Sequence, residues 1–523
     1  MANGSATIKV SGDGLTIEQV VAVARARARV ELSDEPEVRR RILASRRFLE
    51  QTIERGEVIY GVNTGFGGNV RFLLPKEELA EHQEDIFRFL VCGTGPPLPE
   101  DAVRAAILLR ANALAKGYSA VRVPIIESLL ELLNRGITPV VPRHGSVGAS
   151  GDLIPSAHIG QVLLGRGEVF YNGARIPVAD ALQRAGLEPI TLAVKEGLAL
   201  VNGTTVMTGV GALALHDGKD LLPLVLACAT LSLEAVRGSD DPFHDTVQKV
   251  KHHPGQSAVA SICRDLLEGS RYVRNLHNMR LGKDQPQETR REDAIQTCYS
   301  LRCVPQGLGP AWEALREHRL CLEREINSAN DNPLVDPDDG HVYHTGNFYG
   351  GHVARALDSW KIDLVTMGNW LHSLMALLVD DRFNNGLPPN LVRNPGRSSG
   401  FKGMQLCLTS LVSAMRHLAG PSMIHSLATE QYNQDVVSLG YHSALTAMEM
   451  TELLRDATAI TLVTACQAID LRGGKDGLGA GDRKLYEAIR SRVAFLEQDR
   501  PMDRDIAAAR EMIQSRLLPV PQP

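Results

Sequence analysis

Eight apolar residues, Val353, Leu357, Trp360, Leu364, Met367, Leu371, Leu374 and Leu378, recur with spacings of 4-3-4-3-4-3-4. This is an a/d seam held for more than three heptads, and it commits the stretch to one long helix. Such a stripe needs partner helices, from this chain or from another subunit. Helical signals dominate elsewhere too. Residues 15–54 contain arginine-rich amphipathic segments, with Val20, Val23 and Ala24 on one face and Ile42, Phe48, Leu49 and Ile53 on another. Pro99-Glu100-Asp101 predicts a helix over Ala102–Lys116 that Gly117 stops, and Pro124 opens a Leu/Ile-rich helix that Gly136 closes. Further long helices fit Gly309–Ser328, Met404–Leu418 and Tyr441–Ile469. Strand signals are few: Glu168–Tyr171 and Ala174–Val178 flank Asn172-Gly173, a type I′ hairpin turn. No strand–helix alternation of βαβ length is visible, which argues against a Rossmann or barrel enzyme. The one soft boundary lies near 205–215, where glycine-punctuated loops give way to long helices.

Charge and cysteine usage narrow the function. Fifty-six basic and 61 acidic side chains leave a net charge of −5, with both signs interspersed. No basic stripe points to nucleic acid. The eight cysteines form no C-x-x-C pair and no Cys/His cluster, and read as buried reduced thiols of a cytoplasmic protein without a metal site. The start, Met1-Ala2-Asn3-Gly4-Ser5, lacks the apolar core of a signal peptide. The weakly polar run Leu221–Leu233 is too short to span a bilayer, so no membrane role is expected.

The chemistry-bearing stretch is Gly145-Ser146-Val147-Gly148-Ala149-Ser150-Gly151-Asp152-Leu153. Small residues on both sides of Ser150 let the backbone fold until the Gly151 nitrogen approaches the Ala149 carbonyl carbon. Attack there with loss of two waters turns Ser150 into a methylidene electrophile inside a five-membered ring. Taken alone the triplet is more often a plain turn. It could also carry a hydrolase nucleophile, although Gly148-Ala149-Ser150-Gly151 is one residue short of the G-x-S-x-G elbow. Three polar clusters interrupt the helices. Tyr60-Gly-Val-Asn-Thr-Gly-Phe-Gly-Gly68 suggests a mobile lid carrying one phenol. In Gln296-Thr-Cys-Tyr299-Ser-Leu-Arg302 a helix would put the phenol and the guanidinium on one face, as a carboxylate fork or as a surface Arg–Tyr stack. Thr429-Glu-Gln-Tyr-Asn-Gln-Asp435 holds more amides and acids than helix capping requires. Asn202 and Asn347-Phe348, each a turn residue by itself, complete the set.

Together these motifs resemble the ammonia-lyase/aminomutase family that uses a 4-methylideneimidazol-5-one (MIO) group. The likeness rests on the Tyr60, Gly145, Tyr299 and Glu430 stretches above, with Lys195-Glu-Gly-Leu-Ala-Leu-Val-Asn-Gly-Thr204, Asn330-Asp-Asn-Pro333 and Gly346-Asn-Phe348, in family order. It implies a mainly α fold: an elongated central up-and-down helical bundle (L-aspartase-like) over 211–523, and a smaller mixed amino-terminal region over 1–210 that bears the MIO and its lid. It also implies a homotetramer with each active site shared between subunits, which would supply partners for the seam. Carried over by position, Ala149-Ser150-Gly151 would cyclise to MIO, with Asp152 close by and neither metal nor pyridoxal phosphate required. Tyr60 would remove the β-proton of the substrate. Its ordinary pKa of about 10 calls for nearby positive charge or hydrogen bonding to lower it. Asn202, Tyr299 and Gln296 would line the MIO and the substrate amine, and Arg302 would hold the carboxylate. Phe348 would pack beside the ring, with Glu430, Asn433 and Gln434 facing it.

The resemblance also speaks to the substrate. Phe89-Leu90 is an apolar pair like that of phenylalanine-using members, where tyrosine and histidine users tend to place a histidine. Lys402 and Gln434 look phenylalanine-type as well; histidine users commonly put a glutamate near the latter. The expected reaction is therefore deamination of L-phenylalanine to trans-cinnamate. An aminomutase, a tyrosine or histidine ammonia-lyase, a Ser150 hydrolase and a helical scaffold without chemistry are the alternatives. Two departures stand out: His344-Thr345-Gly346, where Gly-Gly is more usual, and Pro155-Ser156-Ala157-His158.

Overall fold

Helices carry most of the chain in the computed structural model, which describes residues 7–276 and 295–520. The stretch Met1–Ser5, read above for its lack of an apolar leader, lies outside the described residues. The fold is mainly α, and the described residues form two compact units. One comprises 1–216, 318–359 and 421–448; the other comprises 217–317, 360–420 and 449–523. This differs from the sequential division at 210/211. Helices Val304–Ile326, Gly351–Val379 and Gly440–Arg472 each contribute residues to both units, so chain order and compactness do not coincide.

The first unit is built around the helix Glu100–Ala115, in which fourteen of sixteen residues are buried. Its alanines allow close approach, and a β-carbon at Gly209 would press on Ala105 and Ala106. Arg104 crosses to two helix ends, donating to Val23 O (2.9 Å), Ala24 O (3.1 Å) and Leu133 O (3.3 Å). Those carbonyls close Ile17–Ala24 and Val123–Asn134, where a cation offsets the negative end of the helix. The hairpin forms as expected: Glu168–Tyr171 pairs antiparallel with Ala174–Pro177 across Asn172 (φ 51°) and Gly173 (φ 78°). The sequence reading missed a small βαβ unit. Ile8–Val10 runs parallel to Val30–Leu32 with the helix Ile17–Ala24 between them. Three-residue strands are too short for a two-residue period to register.

In the second unit, helices Leu221–Ala235, Pro254–Leu267 and Ala480–Arg490 pack together. All eight seam residues of Gly351–Val379 are fully buried within the single chain, so this chain itself supplies the cover. Small residues receive them: Leu357 fits against Gly211 in the first unit, and Trp360 against Gly218 in the second. That helix is long and apolar enough to cross a membrane by length and composition, yet its seam has the burial of a core helix. Trp360→Ala is expected to cost about 3–5 kcal/mol, read as an earlier urea midpoint with helical content unchanged in native buffer. The cysteines are free, but only Cys228, Cys263 and Cys466 are buried; Cys92, Cys298 and Cys407 are exposed, contrary to the expectation of buried thiols throughout.

Candidate active site

The turn at 148–151 runs through left-handed backbone at Gly148 (φ 72°), Ser150 (φ 53°) and Gly151 (φ 76°). Serine in that region is strained and persists only where its surroundings hold it. Gly203 does the holding. Its N–H donates to Ser150 O (3.0 Å), and its carbonyl accepts from Asp152 N (2.8 Å). A β-carbon at Gly151 would overlap that Gly203 carbonyl, so only glycine fits. The bridge uses the Ser150 carbonyl and the Asp152 amide, and the Gly151 nitrogen takes no part in it. An amide not engaged by that bridge is what attack on the Ala149 carbonyl carbon needs.

Asp152 then leads into the helix Leu153–Gly160 and is completely buried. Its carboxylate accepts from Ser146 Oγ (3.0 Å) and Met207 N (2.7 Å). Burial pushes its pKa up to about 7 against those bonds and the charge of Arg110. Beside it, Lys195 and Asp331 form a wholly buried ion pair (2.5 Å) that ties two of the sequence motifs together.

Two cavities, of about 990 and 520 Å³, meet at this turn and share Tyr60, Ala149, Ser150 and Gln434. The larger is also lined by Phe89, Leu90, Asn202 and Glu430, the smaller by Phe348 and Asn433. Asn202 Oδ1 is buried without a hydrogen-bond partner among the described residues, an acceptor open to a ligand N–H. Gln434 Nε2 donates to Ser150 Oγ (3.3 Å). Two contacts hold the 60–68 loop in place: Gly67 N donates to the Tyr60 hydroxyl (2.9 Å), and Gly68 N to Glu430 Oε1 (2.9 Å). Glu430, Gln431 and Tyr432 are three consecutive left-handed residues, held by the pairing of Thr429 with Gln434. Glu430 is thus a latch on the lid in addition to lining the cavity.

The expectation of a lowered Tyr60 pKa is not met within this chain. Burial raises it, the Gly67 N–H opposes that, and the Glu430 charge raises it further. Gln296, Tyr299, Arg302 and Lys402 belong to the second unit, whereas every residue lining the two cavities belongs to the first. Tyr299 is 70 % exposed, and the Arg302 guanidinium lies 4.7 Å over its ring. Within one chain this is the surface stack, not a carboxylate fork.

Two contributors were given no site role from sequence. His344 Nε2 accepts from Tyr60 N (3.1 Å) at the root of the lid. Gln83, fully buried, donates to Gly61 O (3.0 Å) and accepts from Leu198 N (3.2 Å), joining the helix Leu79–Leu90 to lid and core. An amide on the apolar face of that helix was the available signal. The Thr345 departure is explained locally: its amide donates to Asn332 Oδ1 (2.7 Å) and its hydroxyl accepts from Asn347 N (3.0 Å), shaping the turn before Phe348. Nothing in the structure gives Pro155–His158 a role beyond helix packing and the acceptance of Gly93 N by His158 (3.3 Å).

A self-cyclised 149–151 fits these residues: a left-handed serine, a glycine with no room for a side chain, an amide outside the bridge, and an acid fixed alongside. The histidine ammonia-lyase of Caldanaerobacter subterraneus subsp. tengcongensis is 40 % identical over 508 residues, 97 % of this chain and 96 % of that one. The solved tyrosine aminomutase of Streptomyces globisporus superposes with a TM-score of 0.93 at 35 % identity, covering 99 % of this chain and 100 % of that one. For the phenylalanine aminomutase of Pantoea agglomerans the values are 0.92 and 35 %, over 98 % and 99 % of the two chains. The family profile described as aromatic amino acid lyase matches residues 15–491, and the chain is a member of that family, a carbon–nitrogen lyase in a group that comprises ammonia-lyases and aminomutases.

Proposed function

We propose that the protein is a phenylalanine ammonia-lyase that converts L-phenylalanine to trans-cinnamate and ammonia. The observation that carries the choice of substrate is the apolar end of the larger cavity, where Phe89 and Leu90 stand with Ile86 and Ile154. Two polar residues of the same helix that also line the cavity are engaged elsewhere. His82 stacks on Phe66 (4.1 Å between ring centroids) and contacts Thr64 O (3.2 Å), while Asp85 pairs with Arg88. A phenyl ring leaves nothing unpaired in such a slot; a phenol or an imidazole would lose hydrogen bonds to water without replacement. Gln434, neutral beside Ser150, likewise offers no charge to an imidazole.

An MIO formed from Ala149-Ser150-Gly151 supplies an electrophile that makes the substrate amine a better leaving group. The chain's own side chains do the rest. Asn202 Oδ1 accepts from the amine, and Tyr60 of the 60–68 loop takes the β-proton. Arg302, Tyr299, Gln296 and Lys402 complete the site from neighbouring subunits of a homotetramer, with Arg302 on the carboxylate. The reaction needs no metal and no pyridoxal phosphate, and it suits a cytoplasmic enzyme.

Two other readings have specific support. Curated relatives named histidine ammonia-lyase favour histidine, and the solved aminomutases favour re-addition of ammonia to give the β-amino acid. Steady-state turnover of L-phenylalanine, L-tyrosine and L-histidine, with cinnamate absorbance and free ammonia followed together, decides among them. We expect kcat/KM for phenylalanine to exceed that for histidine by at least roughly a hundredfold, the discrimination of a site that leaves polar groups unpaired. Preferred histidine turnover, or β-phenylalanine as main product, would overturn the assignment.

A further inference from the structure

The helix Glu100–Ala115 is apolar through Ala105-Ala106-Ile107-Leu108-Leu109, and then presents Arg110. This guanidinium is 2 % exposed. Its Nη1 donates to the carbonyls of Ala199 (3.2 Å) and Asn202 (2.7 Å), where the short helix Glu196–Val201 ends. Its Nε and Nη2 have no hydrogen-bond partner among the described residues. A buried cation with unpaired N–H groups is costly, and an aliphatic side chain would fill the space more favourably. Packing alone therefore does not account for it.

What Arg110 touches does account for it. Nη2 lies where a β-carbon on Gly203 would come within 3.0 Å, with the Asn330 side chain on the same side. Arg110 thus grips Asn202 through its carbonyl and, with Asn330, fills the space a side chain on Gly203 would need, and Gly203 is the residue whose two backbone bonds set Ser150 and Asp152. Of the two carboxylates whose charges act on Arg110, Asp331 does so more strongly than Asp152.

We propose that Arg110 is a positioning residue for the backbone cyclisation: through Asn202 and Gly203 it fixes the register of Ser150-Gly151-Asp152. This rests on the reading of 149–151 as a ring-forming turn. In that step a C–N bond forms between Gly151 N and the Ala149 carbonyl carbon. The carbonyl oxygen leaves as water with the hydrogens of the Gly151 and Ser150 amides. The Ser150 hydroxyl leaves as the second water with the hydrogen of its α-carbon. No outside reactant is required, so the rate depends on how firmly the turn is held.

The test compares purified parent, Arg110→Met, Arg110→Gln and Arg110→Lys. Intact mass gives the fraction of chains lacking two waters, near-ultraviolet absorbance gives the ring, and circular dichroism with thermal melting reports the fold. Both neutral variants should keep the helical signal and contain at least about tenfold less ring than the parent, a loss of about 1.4 kcal/mol if read as a rate ratio. Arg110→Lys, which keeps a charge near the Asn202 carbonyl, should restore most of it. Should Arg110→Met fail to fold, Arg110→Gln, which retains a donor, carries the measurement. Parent-level ring content in a folded neutral variant overturns the proposal, as does a lysine variant no better than the neutral ones. A parent chain that keeps both waters overturns the ring reading itself, and so separates the two failures.

Discussion

Ser150→Ala is expected to abolish turnover, a fall on the order of 10³-fold or more, in a chain that folds as the parent does. The hydroxyl makes one described hydrogen bond, from Gln434 Nε2, so its removal costs little structure. Alanine bears the left-handed φ of 53° at a cost similar to serine, because both carry a single β-carbon. What the variant lacks is the oxygen that leaves as the second water, and with it the electrophile. Intact mass should show that the variant does not lose both waters while the parent does, and melting curves should overlay. Turnover of L-phenylalanine within tenfold of the parent would remove the central assignment.

Tyr60→Phe is expected to lower kcat on the order of 10²–10⁴-fold, the range a positioned base supplies, with KM little changed. Phenylalanine keeps the ring in place and gives up only the oxygen that accepts from Gly67 N. The pH dependence provides the sharper test. Burial and the Glu430 charge hold Tyr60 in its neutral phenol form, and only the phenolate can take a proton. Parental kcat/KM should therefore rise with pH as the phenol ionises, and the residual rate of the variant should be flat over the same range. Cations brought in from neighbouring subunits would move that rise to lower pH without abolishing it. A variant that keeps both the rate and the slope would exclude Tyr60 as the base.

Much of the architecture was legible because its signals are long. The seam from Val353 to Leu378, the proline-opened and glycine-closed helices and the Asn172-Gly173 hairpin each repeat one local rule over several residues. Three-residue strands carry no such redundancy, and Ile8–Val10 and Val30–Leu32 went unseen. The two compact units do not follow chain order for a related reason: long helices let distant segments share one compact body, and no local rule reports this. Tyr60, Ser150, Asn202, Phe89, Glu430 and Gln434 all line the larger cavity. The electrostatics were not readable. The upward shift of Tyr60 follows first from its burial and then from the charge of Glu430, hundreds of residues away in sequence, and the sequence states neither. Arg110 left a trace, a single cation in an apolar run, whose meaning appears only once Gly203 is seen beneath it.

The placement of Gln83 bears on how this scaffold can change its chemistry. One side-chain amide secures the helix that ends in Phe89 and Leu90, holding the lid with one end and the core with the other. Of the residues that helix gives to the cavity, Ile86 and Leu90 are buried in the core, whereas Phe89 is exposed and carries little of the packing. Diversification at position 89, by laboratory selection or by natural drift, can recast the preferred guest while the turn at 148–151 and its braces stay untouched, so that new specificities arise without rebuilding the rest of the site.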